Sequence, residues 1–259
     1  MDLGIRGKYA LVTGGSHGIG RAIALRLAEE GCHVAICART EPRVAETAHA
    51  LTAQGVQALG VTADVLVPAD IERVVKTVID TWGTLHILVN NVGGGGRWGS
   101  PMVEETADDV WLDVFNKNAM AAARFTKLAL PHMRRQHWGR VVTISSLTGR
   151  EGGGRPWYAM AKSAEISLMK SLAMTPELAR DGITFNSVAP GSIMIPGTGW
   201  DRERCEHPEA FQRFTEQLPL GRLGTPEEVA DVVAFLCSQQ ASLLNGAAIA
   251  ADGGESRSL

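Results

Sequence analysis

The segment Thr13-Gly14-Gly15-Ser16-His17-Gly18-Ile19-Gly20 decides the fold. It follows the apolar run Tyr9 to Val12 and leads straight into Ile19 to Glu30, where Ile23, Leu27 and Ala28 recur at helical spacing. Strand, glycine-rich turn and helix in that order open a βαβ unit. Glycine lets the backbone turn tightly and approach a pyrophosphate closely, and the free N–H groups at a helix N-terminus favour its charge. The spacing, Gly-x3-Gly-x-Gly, differs from the commoner GxGxxG, and a glycine turn alone can be a plain connection. Its place after a first buried strand favours nucleotide binding by Gly14, Ser16, His17, Gly18, Ile19 and Gly20.

The same alternation continues along the chain. Apolar, β-branched runs span Tyr9 to Val12, His33 to Ala38, Val56 to Ala63, Leu85 to Val89, Arg140 to Ile144, Ile183 to Val188 and Ala247 to Ala251. Such runs lack polar alternation and suit strands covered on both faces. Amphipathic stretches lie between them: Ile71 to Trp82, Val110 to His137 and Pro226 to Ser238. The expectation is an α/β fold, a Rossmann-like doubly wound parallel sheet of about seven strands with helices on both faces. No linker or repeat interrupts it, so residues 1–259 read as one domain, with a substrate loop or lid at about 193–220.

Composition narrows the function. Among 259 residues, 25 Lys+Arg against 28 Asp+Glu give a net charge of −3 without a basic run, which argues against a nucleic-acid partner. A hydrophobic share of 45% supplies a sizeable core. The N-terminus carries an acid and no apolar h-region, and no segment reaches about 18 uncharged apolar residues. A soluble, cytoplasmic protein with no membrane partner is expected. Cys32, Cys37, Cys205 and Cys237 match no redox or zinc spacing, so they read as ordinary buried thiols and no metal is expected. There are 29 glycines, above the usual ~7%, and only two tyrosines, Tyr9 and Tyr158.

The second strand indicates which nucleotide binds. An acid at its end would accept from the ribose 2′-OH of NAD, whereas arginine would grip the 2′-phosphate of NADP. Here the strand ends Ala38-Arg39-Thr40, so Arg39, with Thr40 and His17 assisting, favours NADP(H) over NAD(H). Beside Val65 at the third strand end, Asp64 could accept from the adenine amino group or cap the following turn. Asn90 and Asn91, before Gly93, either tie neighbouring loops or meet the cofactor.

Tyr158 and Lys162 stand at i and i+4, on one helical face. A tyrosine working as an acid/base near neutrality needs its pKa of about 10 lowered by roughly 3 units, and a neighbouring ammonium does that. Upstream, a buried strand ends in Ser145-Ser146 at the sheet edge shared with the glycine loop. A hydroxyl there could polarise a substrate carbonyl.

Thr13-Gly-x3-Gly-x-Gly20, Asn90-Asn91-x-Gly93, Ser146, Tyr158-x3-Lys162, Pro190-Gly191 and Asp252-Gly253-Gly254 resemble, in order and spacing, the motifs of single-domain short-chain dehydrogenases/reductases. The resemblance implies Tyr158 as general acid/base, Ser146 rather than Ser145 as carbonyl orienter, and Lys162 on the nicotinamide ribose while lowering the tyrosine pKa. It implies that Asn118, rather than Asn116, bends its helix and positions a water. Pro190, Gly191 and the main chain near Ile193 would hold the nicotinamide side. It further implies a homotetramer or homodimer. Two departures stand out. Ile195 replaces a threonine that helps hold the carboxamide, leaving Thr198 or Ser192 to substitute. Pro176 falls inside the helix carrying Tyr158, so a break is expected near Thr175.

Three segments should enclose the substrate: Gly93 to Ser100, Gly149 to Trp157 and Ile195 to Leu220. They carry Trp98, Trp157 and Trp200 with Arg97, Arg150 and Arg155, which suits a small polar or acidic carbonyl compound or its alcohol. A second reading is a 3-oxoacyl-acyl carrier protein reductase, docking its carrier on the basic patch from Arg134 to Arg140. A third is a catalytically silent NADP-binding sensor or scaffold.

Overall fold

The computed structural model describes residues 1–258. Among them β1 (Tyr9–Thr13), β2 (His33–Ala38), β3 (Ala58–Thr62), β4 (Ile87–Asn90), β5 (Gly139–Ile144), β6 (Ile183–Pro190) and β7 (Ala248–Ala251) form one parallel sheet. Its order is β3-β2-β1-β4-β5-β6-β7. β5 and β6 are buried along their whole length, as strands covered on both faces must be. The expected run from Val56 to Ala63 shortens at the sheet edge, where β3 pairs with β2 alone.

The helices are α1 (Gly18–Glu29), α2 (Glu41–Ala53), α3 (Pro68–Trp82), α4 (Asp108–Phe115), α5 (Ala121–Arg135), α6 (Leu147–Glu151), α7 (Pro156–Ala173), α8 (Pro176–Arg180), α9 (Gly199–Glu206), α10 (Pro208–Gln217) and α11 (Pro226–Leu236). The strand pleat divides the core in two. Val12 of β1 joins Ile23 and Leu27 of α1 and Val229 and Val233 of α11, whereas its neighbour Leu11 joins Val74 of α3, Phe125 of α5 and Met169 of α7. Each such fully buried side chain contributes about 1.5–3 kcal/mol. α2 lies outside the stretches that periodicity marks, because only Val44, Thr47 and Leu51 of it are buried.

Two interruptions matter for the site. The helix expected from Val110 to His137 is divided by a π turn at Asn116–Met120 between α4 and α5. Asn118 Nδ2 donates to the Val114 carbonyl at 2.7 Å, a side chain competing with the helical backbone, which accounts for the local bend. The expected break before Pro176 is also present: α7 ends at Ala173, Thr175 N–H turns to the Leu172 carbonyl at 3.1 Å, and Pro176 begins α8. Chain winding reverses between β1 and β4, opening a crevice above their carboxyl ends.

At the opposite edge Tyr9 lies in an aromatic cluster, 5.0 Å from the rings of both Trp82 and His33 and 5.7 Å from His86. Tyr9 N–H donates to His86 Nδ1 at 3.2 Å, so the ring is held neutral. Burial first, and Lys8 second, push His86 down to about 4 from its ordinary 6.5. A histidine whose folded value is depressed stabilises the fold above the unfolded value and loses that contribution as pH falls from 6.5 towards 4. The slope is at most about 1.4 kcal/mol per pH unit, reduced by solvent at a half-buried ring. Urea unfolding between neutral and mildly acidic pH should show a smaller loss for His86→Asn than for the unaltered chain. Equal losses would remove His86 as the cause.

Cys32, Cys37 and Cys237 are buried as expected, but Cys205 is exposed, because α9 buries no residue. No helix among the described residues is long and apolar enough to cross a membrane.

Candidate active site

The glycine loop is shaped by backbone proximity. Gly14 has φ +66°, and a Cβ there would lie 2.8 Å from Asn91 Nδ2. A Cβ on Gly20 would collide with both the Gly14 carbonyl and Asn91 Nδ2. Asn91 Nδ2 donates to the Thr13 carbonyl at 2.9 Å and to that of Gly14 at 3.3 Å, while Thr13 Oγ1 accepts from Asn91 N–H at 2.9 Å. Asn91 thus ties the end of β4 to the loop after β1. Asn90 turns inward instead, donating to Thr126 Oγ1 at 3.1 Å and Thr143 Oγ1 at 3.2 Å, which makes it an internal tie. His17, at the N-cap of α1, makes no capping bond with its side chain, so the first N–H groups of this helix remain free.

Two cavities meet at this loop. One, about 330 Å³, extends across Gly14, Ser16 and His17 to Arg39, Thr40 and Asp64, with Val65, Asn91 and Gly93 also on its walls. Arg39 and Thr40 are exposed at its rim. Asp64 Oδ1 accepts from Leu66 N–H at 3.0 Å, so its turn cap is formed while its carboxylate still borders the cavity. Lys117, which sequence reasoning missed, joins Arg39 on this wall. The π turn delivers it, and its Nζ also lies 4.6 Å above the Trp98 ring. Burial first, and Arg39 next, hold this ammonium below its ordinary value.

The other cavity, about 500 Å³, brings Tyr158, Lys162 and Ser146 together with Gly18, Ile19 and Gly20. Pro190, Gly191 and Ile193 form its far side. Lys162 Nζ lies 5.8 Å from the centroid of the Tyr158 ring. The two serines differ because neighbours on an extended chain face opposite ways. Ser145 is buried and its hydroxyl donates to the Lys162 carbonyl at 2.8 Å, whereas Ser146 is half-buried and accepts from Thr148 N–H at 3.3 Å. Asn118 does not face the cavity. It is fully buried, accepting from Gly94 N–H at 3.1 Å and donating to the Gly94 carbonyl at 2.9 Å, which holds that loop beside Lys162. Lys162 itself donates to the Ile144 carbonyl at 2.9 Å and to Glu165 Oε2 at 3.0 Å, a partner that sequence reasoning also missed.

Ile195 packs toward the glycine loop: a Cβ on Gly18 would lie 3.1 Å from it. Of the two hydroxyls that could replace the missing threonine, Ser192 Oγ is engaged by Glu255 at 2.8 Å, whereas Thr198 borders the cavity and donates to the Ile195 carbonyl at 2.8 Å. Only part of the expected substrate enclosure is present. Arg97 and Trp200 line the cavity. Trp157 is buried against Trp111, Trp98 faces Lys117, Arg155 donates to the Ser100 carbonyl and Arg150 to that of Ala248. These four side chains tie neighbouring segments together.

Comparison with known proteins agrees with this architecture. A family described as Enoyl-(Acyl carrier protein) reductase matches residues 14–256. A putative ketoacyl reductase of Streptomyces coelicolor is 38% identical over 257 residues, covering 95% of this chain and 96% of its own. The 3-oxoacyl-acyl-carrier-protein reductase of Aquifex aeolicus is 37% identical over 98% of this chain and 99% of its own. The crystal structure of L-sorbose reductase from Gluconobacter frateurii, complexed with NADPH and L-sorbose, superposes with a TM-score of 0.91 at 34% identity over 100% of both chains. With that sheet, glycine loop and Tyr158-x3-Lys162 pair, the chain belongs to the short-chain dehydrogenase/reductase family of oxidoreductases.

Proposed function

We propose that this protein is an NADP(H)-dependent oxidoreductase interconverting a small, free carbonyl compound and its secondary alcohol. The observation that carries the reading is the convergence of Tyr158, Lys162 and Ser146 on one cavity beside the glycine loop. The chain's residues fit the cofactor. Side chains at Gly14 and Gly20 would collide with Asn91 and the Gly14 carbonyl and spread the tight loop, and Arg39 and Lys117 offer two cations for a 2′-phosphate while no acid stands at the end of β2. Bound there, a nicotinamide cofactor supplies or accepts the hydride.

In this reading Tyr158 Oη gives a proton to the substrate oxygen in reduction and takes it back in oxidation. Lys162 holds positive charge beside the phenol and reaches the ribose hydroxyls. Ser146 donates to the carbonyl oxygen as charge develops on it. Asn118 acts at one remove, fixing the Gly93–Gly94 loop beside Lys162. Residues 1–259 then work as one unit, with 193–220 as the substrate-side loop. The reading also takes the protein to be a cytoplasmic homotetramer or homodimer. Leu112 of α4 and Met160 of α7, 62% and 46% exposed, provide apolar surface for such a contact.

The substrate class follows from Arg97 and Trp200. The guanidinium of Arg97 borders the cavity, close to where a Cβ on Gly199 would lie, and no ion pair among the described residues uses it. A polar or acidic carbonyl compound suits that wall. The ketoacyl relatives favour the second reading, a carrier-linked 3-oxoacyl thioester. Its candidate docking patch is poorly placed. Arg134 is paired with Asp181 at 2.7 Å, just before β6, and Arg140 is buried. Both therefore sit at the sheet edge opposite Tyr158, about 20 Å away along a six-residue strand.

NADPH oxidation measured against ketones, keto acids, keto sugars, quinones and acyl thioesters tests the reading. The highest kcat/KM is expected for a small polar or acidic carbonyl compound. With an acidic substrate, Arg97→Ala should raise KM about 10- to 100-fold, the worth of one charge-assisted hydrogen bond, with little change in kcat. Preference for carrier-bound thioesters would replace this reading by the second, and no turnover with any compound would leave the sensor.

A further inference from the structure

Behind the cavity, Lys162 and Glu165 form an ion pair sealed from solvent, with side chains 3% and 1% exposed. Removing two charges from water costs several kcal/mol per ion, and a buried pair commonly returns no net stability over apolar residues of the same volume. An i,i+3 pair on a helix would ordinarily stay at the surface. This one lies beneath the Gly93 turn, where a Cβ on Gly93 would come within 2.8 Å of Lys162 Nζ.

An ammonium has three donors. Two are engaged inside the protein, by the Ile144 carbonyl at 2.9 Å and Glu165 Oε2 at 3.0 Å. One remains for the cavity that Lys162 shares with Tyr158. We propose that Glu165 is a positioning residue for the Tyr158–Lys162 pair, its carboxylate keeping the buried lysine charged and aimed so that the ammonium can act on the phenol. This rests on the proposed acid/base role of Tyr158.

The surrounding charges support that assignment. Burial works to lower Lys162, but Glu165 and then Tyr158 outweigh it and hold the ammonium above its ordinary value. Burial likewise pushes Glu165 up to about 7 against the pull of Lys162. From the π turn, Lys117 adds a like charge to the field around Lys162. On the other elements packed against α7, Arg150 and Glu151 of α6 turn to the Ala248 carbonyl and to the 257–258 backbone, Glu177 and Arg180 of α8 are exposed, and β6 carries no charged residue. Asp108, Asp109 and Asp113 of α4 are exposed. β5 and the residue after it present the Ile144 carbonyl and the Ser145 hydroxyl, both uncharged. Glu165 is therefore the carboxylate in contact with the lysine. Without it, a fully enclosed amine tends toward its neutral form.

The test is the pH dependence of kcat/KM for alcohol oxidation, which requires the ionised phenol. Glu165→Gln should move the acid limb to higher pH by about one unit, so that activity on that limb falls about tenfold. Glu165→Leu removes the same charge without burying an unpaired amide and should give the same shift; because Lys162 loses its buried counter-ion, thermal stability should fall, and the limb is read at a temperature where the variant is still folded. An acid limb that stays in place or moves to lower pH in the folded variants overturns the proposal. Tyr158→Phe assayed alongside separates the two readings. If it is inactive while the Glu165 limb is unmoved, only the role of Glu165 fails; if it turns over normally, the Tyr158 reading fails first.

Discussion

Tyr158→Phe should lower turnover in both directions by about 10²- to 10⁴-fold, the usual worth of a positioned general acid or base, while NADP(H) affinity stays within about threefold. The substitution removes one hydroxyl and keeps the ring, which packs against the Gly96 turn at 3.4 Å from the position of a Cβ there. The fold therefore has no reason to change. No second phenol can take over, because Tyr9 lies in the aromatic cluster at the other end of β1. Ser146 cannot substitute either: a neutral hydroxyl far from its own pKa gives up a proton poorly, and it is already an acceptor for Thr148. Cofactor titration by fluorescence together with steady-state rates would check both halves. Near-normal turnover would remove Tyr158 from the chemistry, and equal losses of binding and turnover would make it a binding group.

The parts of the fold that could be read beforehand are those where burial leaves a period in the sequence. Strands covered on both faces appear as unbroken apolar runs, so β2 is read to the residue, whereas β3 at the edge is read too long. α2 escapes because a helix burying three positions has too narrow a stripe to mark. The π turn has no periodic signature at all and is legible only through the family resemblance of Asn118. Loops follow no period, so nothing in the sequence separates Arg97 and Trp200, which face the cavity, from Trp157, which is fully buried. Lys117 and Glu165 were missed for one physical reason. A charged residue on a helix reads as solvated surface, and only tertiary packing turns one toward the Arg39 wall and encloses the other behind Lys162.

Arg39→Asp should lower the ratio of kcat/KM with NADPH to that with NADH by about 10²- to 10³-fold. Two effects of the same sign add. Loss of the guanidinium removes a charge-assisted hydrogen bond to the 2′-phosphate worth about 1.5–3 kcal/mol, and the new carboxylate repels the phosphate while accepting from a free 2′-hydroxyl. Lys117 limits the change, because its ammonium stays on the same wall and continues to attract the phosphate. Arg39→Ala, which lacks the repulsion, should therefore lie between the unaltered enzyme and Arg39→Asp. Arg39→Asp combined with Lys117→Met should go beyond both. Raising ionic strength should narrow the spread, since Arg39 is exposed and its field is screened by salt. A ratio indifferent to all three variants would mean that the 2′-phosphate is held elsewhere, and the arginine at the end of β2 would then be an ordinary solvated side chain.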